Sequence, residues 1–203
     1  MGMGNRKNGG RTSRGCRLVF VCLATAIPLR AQAEQPKLQA TVGAYYFDGW
    51  SGQTNHVTKL LETKYADRKP LWGWKDDTVE IMQKQIDYCA DHGIAFCAFD
   101  WYYPEGMNKT TALNNALDLY LKAPNCQRLK FCLLVANHKG FRIGPKDWDA
   151  CCERWIELFR KPTHLRVGDQ PLLIIFSPDE LQQAFGGVEG VHQALGSSAL
   201  GRR

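Results

Sequence analysis

Apolar residues fall along this chain in short continuous runs, separated by segments in which they recur every three or four positions. Residues 41–47, rich in Val, Tyr and Phe, predict a first strand that closes on the turn-prone Asp48-Gly49-Trp50-Ser51-Gly52. Residues 51–75 show no period and predict a long loop carrying His56, Trp72, Gly73 and Trp74. Asp77 with Glu80 three positions later predicts a helix start. Val79, Met82, Ile86, Cys89 and Ala90 form its inward face, and Gly93 ends it. The run from Ile94 to Phe99 is apolar without alternation, as expected for a parallel strand buried on both faces, and it ends in Asp100-Trp101-Tyr102-Tyr103-Pro104.

The alternation then repeats. A loop at 104–110 leads to a helix over 111–122 with Leu113, Ala116, Leu117 and Tyr120 inward. Residues 129–136 predict a third strand ending in Asn137-His138-Lys139-Gly140. Residues 146–160 predict a helix with Pro145 in its first turn and Trp148, Cys151, Cys152, Trp155 and Phe159 on its apolar face. Residues 172–176 predict a fourth strand, closed by Ser177-Pro178-Asp179-Glu180, where another helix begins. Strand–helix repeated four times implies a parallel sheet with right-handed crossovers. Two α/β architectures fit: the N-terminal half of a (β/α)8 TIM-type barrel, or a small open parallel α/β sheet. No G-x-G-x-x-G or phosphate-loop glycine pattern follows any strand, which counts against nucleotide binding and leaves no cofactor expected.

Charge changes the picture once. The net charge of +6 matches the six basic residues of the first 33 positions, Arg6, Lys7, Arg11, Arg14, Arg17 and Arg30, which include no acid. The remainder is neutral, so no nucleic-acid partner is expected. The basic stretch, the apolar segment 18–27 and Ala31-Gln32-Ala33 read as a secretory signal peptide cleaved near Ala33. The apolar segment is too short to span a bilayer, so no integral membrane span is expected after cleavage. The expected product is secreted or periplasmic, with a linker at 34–40, a domain at 41–195 and a tail at 196–203. Of eight cysteines, Cys16 and Cys22 lie in the leader. The other six include no C-x-x-C pair and read as structural thiols, with any bridge left open. Five scattered histidines show no metal-ligand spacing, and no metal site is expected. Asn108-Lys109-Thr110 matches a glycosylation sequon.

The polar residues after the strands are Asp48, Asp100, Asn137-His138 and Asp179-Glu180, and beside them stand Tyr45, Tyr46, Trp50, Trp101, Tyr102 and Tyr103. A sugar has apolar C–H faces and hydroxyl rims, and aromatic platforms with carboxylate, amide and imidazole partners suit both. Candidate carbohydrate-binding residues are Tyr45, Tyr46, Trp50, Asp100, Trp101, Tyr102, Asn137 and His138. Asp100 and Asp48 are the candidate catalytic carboxylates, set against structural roles as a local cap and a turn residue.

Several spaced motifs carry a resemblance: 43–50 (Gly-Ala-Tyr-Tyr-Phe-Asp-Gly-Trp), 70–74 (Pro-Leu-Trp-Gly-Trp), Met82 with 85–87 leading into Gly93-Ile94, 99–103, 129–131 with Asn137, and Pro171 through 177–181. Over residues 41–195 the chain resembles the glycoside hydrolase family 99/71-like group, to which the glycosyltransferase-like WbsX-like proteins also belong. The resemblance implies a barrel acting on glycans, with Tyr45, Tyr46, Asp48, Trp50, Asp100, Trp101 and Tyr102 lining the sugar site. It also implies a late acid pair, in a tryptophan- and glutamate-containing motif that nothing here matches. A full barrel needs about 250 residues, so the expectation is an exported, truncated glycoside hydrolase-like protein whose last residues are out of frame. The rival expectations are a WbsX-like glycosyltransferase of polysaccharide synthesis, and a non-catalytic carbohydrate-binding module.

Overall fold

The computed structural model describes residues 40–104 and 111–198. The leader with its cleavage site, the sequon and the end of the tail lie outside the described residues. The elements are β1 (Gly43–Tyr46), α1 (Lys59–Lys64), α2 (Val79–Asp91), β2 (Phe96–Trp101), α3 (Asn115–Lys122), β3 (Lys130–Val135), α4 (Trp148–Phe159), β4 (Arg166–Val167), β5 (Gln170–Pro171), β6 (Leu173–Ile175), α5 (Pro178–Phe185) and α6 (Val188–Ser197). The fold is α/β: a four-stranded parallel sheet in the order β1-β2-β3-β6, flanked by helices.

Alternation along the strands divides the side chains between two faces. On one, Cys97, Phe99 and Trp101 of β2 and Phe131, Leu133 and Val135 of β3 join Met82 and Ile86 of α2, Leu117 and Tyr120 of α3, and Cys151 and Trp155 of α4 in one core. Leu181, Phe185, Val191 and Ala194 bring α5 and α6 onto the same core. The opposite face carries a smaller cluster, Ala98, Cys132 and Leu134, flanked by Phe96, Leu165, Leu172 and Ile174. Gly43 pairs with Phe96 across β1 and β2, and a Cβ at Gly43 would overlap the Phe96 ring. The missing side chain on β1 is the seat of that ring.

Local chemistry sets the element ends. Thr78, not Asp77, caps α2: its hydroxyl accepts from the Ile81 amide at 3.3 Å. Thr78 is the extended residue before the first turn, so its oxygen reaches the third helical amide and Glu80 is left as a first-turn acid. Gly93 closes the helix at φ +82, with Ile94 N–H on the Cys89 carbonyl at 2.9 Å and Gly93 N–H on that of Ala90 at 3.4 Å. This is a Schellman ending, open to glycine because of the left-handed φ. Pro145 lies ahead of α4 rather than in its first turn, since Asp147 is the N-cap. The 51–75 segment holds α1 and a 3-10 turn at Ala66–Arg68, and β4 and β5 form an unexpected antiparallel hairpin. All six described cysteines are free: Cys97, Cys132, Cys151 and Cys152 are buried, while Cys89 and Cys126 are half-buried. No helix of the described residues is long and apolar enough to cross a membrane.

Candidate functional site

Asp100 lies two residues beyond Ala98 on β2 and leaves the sheet on the face away from the helices. The Tyr102 hydroxyl donates to its Oδ2 at 3.4 Å. Its Oδ1 is buried and has no hydrogen-bond partner among the described residues. Burial pushes the carboxyl above its ordinary range, against the opposing pull of the Tyr102 hydroxyl and of His138. Burial and the adjoining carboxylate push the Tyr102 phenol up to about 12. Rings gather beside this pair: Tyr102 meets Phe141 at 4.8 Å and His138 at 6.1 Å, and His138 meets Phe176 at 5.9 Å, all edge-on. Phe176 is 60% exposed, an apolar face offered to solvent. Glu180 is tied at the edge of this region by Arg142 at 2.6 Å.

Two asparagines hold the mouth rigid. Asn114 accepts from Tyr102 N–H and donates to the Tyr102 carbonyl, both at 2.8 Å, pinning the end of β2. Asn137 does the same between strands, donating to the Ser177 carbonyl at 2.8 Å and accepting from Ser177 N–H at 3.0 Å. Asn137 is buried, with its amide oxygen and nitrogen both bonded to Ser177, so it clamps the ends of β3 and β6 together. Buried polar groups are nearly always satisfied, and an amide whose two ends bind one backbone is a common solution.

A second polar cluster lies at the end of β1. The Tyr46 hydroxyl donates to Gln85 Oε1 at 2.7 Å and to Asp76 Oδ2 at 3.2 Å, while its ring packs on Phe99 at 5.0 Å. Tyr46 therefore packs with the helix-side core, away from the face that carries Asp100. Asp48 is 2% exposed, and its Oδ2 accepts from the Ala116 amide at 2.6 Å. Ala116 lies in the first turn of α3, so a carboxylate 68 residues away satisfies one of that helix's free amides. Burial raises the Asp48 carboxyl to about 6 against that hydrogen bond, and Asp76 and Asp77 raise it further. Asp48 thus engages the α3 amide while Asp100 engages the Tyr102 hydroxyl.

Trp101 lies apart from Asp100. It is 1% exposed, stacked on Tyr103 at 6.1 Å and edge-on to Trp155 at 5.7 Å. One residue past Asp100, it projects to the other face of the sheet. Tyr45 is 74% exposed, and Trp50 stands apart with Trp72 and Trp74. Of the candidates, Asp100, Tyr102 and His138 form one site. Sequence reasoning passed over Asn114, Phe141, Phe176 and Asp76. Phe141 follows the third predicted strand by a few residues and Phe176 ends the fourth, a signal open to reading. Among the described residues no group of three or more His, Cys, Asp or Glu side chains could hold a metal ion. Comparison of the chain with protein-family models, with curated proteins and with solved structures returns no match.

Proposed function

We propose that this chain is the sugar-holding part of an exported glycoside hydrolase-like protein of the family 99/71-like type, and that its four described parallel strands are the first four of a (β/α)8 barrel. Two features support the barrel reading. The strands follow one another across the sheet in chain order, and the helices pack on one face. A doubly wound sheet reverses its order and carries helices on both faces, whereas a barrel keeps one face for its interior. Asp100 lies on that interior face, near the C-terminal ends of the strands.

The observation that carries the glycan reading is the unpartnered Oδ1 of Asp100 beside the Tyr102, His138, Phe141 and Phe176 rings. A sugar hydroxyl donates to that oxygen while the ring edges and the exposed Phe176 cover its C–H faces. Hydrolysis needs a second carboxylate at a set separation. Asp48, the partner expected for Asp100, is committed to the first turn of α3. Binding without cleavage is therefore the activity proposed for these residues, which favours the carbohydrate-binding alternative over the glycosyltransferase.

Affinity electrophoresis through gels containing α-mannan, or another neutral polysaccharide from a panel, tests the reading. The wild-type chain is retarded in at least one gel, and Asp100→Asn and Tyr102→Phe migrate freely with unchanged circular dichroism. Undiminished retardation of Asp100→Asn, or no retardation of the wild type in any gel, overturns it.

A further inference from the structure

Beside the end of β1, a cavity of about 190 Å³ is lined by Trp50, Pro70, Trp72, Gly73, Trp74 and Asp76. Three of the chain's 6 tryptophans meet there around one carboxylate. We propose that this cavity binds a substituted ammonium cation, a small methylated or alkylated amine headgroup. The inference does not rest on the glycan reading, which concerns Asp100.

The carboxylate makes the argument. Asp76 is 7% exposed, its Oδ2 is taken by the Tyr46 hydroxyl, and its Oδ1 has no partner among the described residues. A buried carboxylate oxygen without a donor is costly, and the cost is relieved by a neutralising cation or by a proton. Burial biases Asp76 toward its protonated form and Asp77 adds to the effect, against the opposing pull of the Tyr46 hydroxyl, the Gln85 side chain and its own backbone amide. Asp48 and Asp77 place two more carboxylates within electrostatic reach. Lys75 lies with Asp77 at Gly52, and the Lys69 stem passes Gly73. Neither forms an ion pair with Asp76 among the described residues.

The walls decide the class of cation. Indole faces attract a cation through their negative quadrupole and hold its methyl groups by apolar contact, a combination suited to alkylated ammonium and poor for a hydrated metal ion. Cavities that take drug-sized ligands begin at about 300 Å³, so this one fits a single headgroup. A neutral sugar offers hydroxyl donors to Oδ1 but leaves the charge uncompensated.

Tryptophan fluorescence and calorimetric titration of the full chain test the proposal with choline, tetramethylammonium, the uncharged choline isostere 3,3-dimethylbutan-1-ol, and methyl α-mannoside. The expected result is saturable choline binding, about tenfold tighter than the isostere, weakened in Asp76→Asn and in Trp74→Ala. Asp100→Asn keeps it, so its failure and that of the glycan reading are separable. If Asp76→Asn does not fold, Trp72→Ala carries the same expectation from a half-exposed wall. Equal affinity for choline and the isostere overturns the proposal as an uncharged apolar slot. Binding of the mannoside in choline's place overturns it as a neutral sugar subsite. Binding of none of the four overturns it outright.

Discussion

Replacing Asp48 by Asn separates two opposing effects at one buried carboxyl. Asn keeps an oxygen to accept the Ala116 N–H of α3 but carries no charge into a site where Asp48 is 2% exposed. In the wild type the carboxyl is raised from an ordinary 3.8 to about 6. Each tenfold change in proton affinity is worth about 1.4 kcal/mol, so ionised Asp48 costs the fold up to about 3 kcal/mol at neutral pH. The folded carboxyl holds a proton below about pH 6, and the unfolded one only below 3.8. Within that window the folded protein binds more protons, so stability falls as pH rises and levels off above it. Asp48→Asn removes this fall. Urea titrations at pH 4 and pH 7.5, followed by circular dichroism, measure it. The variant should match the wild type at pH 4 and exceed it at pH 7.5, with an unchanged m-value. A variant less stable at pH 7.5, with the wild-type pH slope intact, would mean that the ionised bond to the α3 amide outweighs the burial.

Trp101→Ala should lower the unfolding free energy by about 3–5 kcal/mol, because the ring fills the space between Tyr103 and Trp155. Trp101→Phe should keep polysaccharide retardation, and its loss at unchanged stability would contradict the core placement. Gly43→Val should cost about 1–3 kcal/mol by displacing the Phe96 ring. Adding Phe96→Ala should recover part of that loss in a double-mutant cycle of urea midpoints, and strictly additive losses would show that the ring does not rest on Gly43.

Much of the fold is legible in the sequence because helix period and apolar runs are local signals. The helices over α2, α3 and α4 and the four parallel strands all fall within the predicted segments. The β4–β5 hairpin is signalled only by Gly168-Asp169 between two very short strands. The site is harder to read. The run from Ile94 to Phe99 is apolar without alternation, so nothing in it says that Asp100 and Trp101 leave the sheet on opposite faces. Asp48 and Asn137 look like ligand contacts because they follow strands. Their partners, Ala116 and Ser177, lie 68 and 40 residues away, and only the folded chain makes those bonds visible. Asp76 is hidden by the cap signal next to it.

The unbridged cysteines divide the molecule into layers that can be timed. Cys97, Cys151 and Cys152 sit in the helix-side core, Cys132 sits on the other face of the sheet, and Cys89 and Cys126 are only half-buried. Only a thiolate reacts with a disulfide reagent, and burial alone holds the Cys132 thiol up at about 11. Its labelling therefore waits for an opening that lets in solvent, as exchange of a buried amide does. Labelling followed by mass mapping would show whether the two faces of the sheet open together or apart.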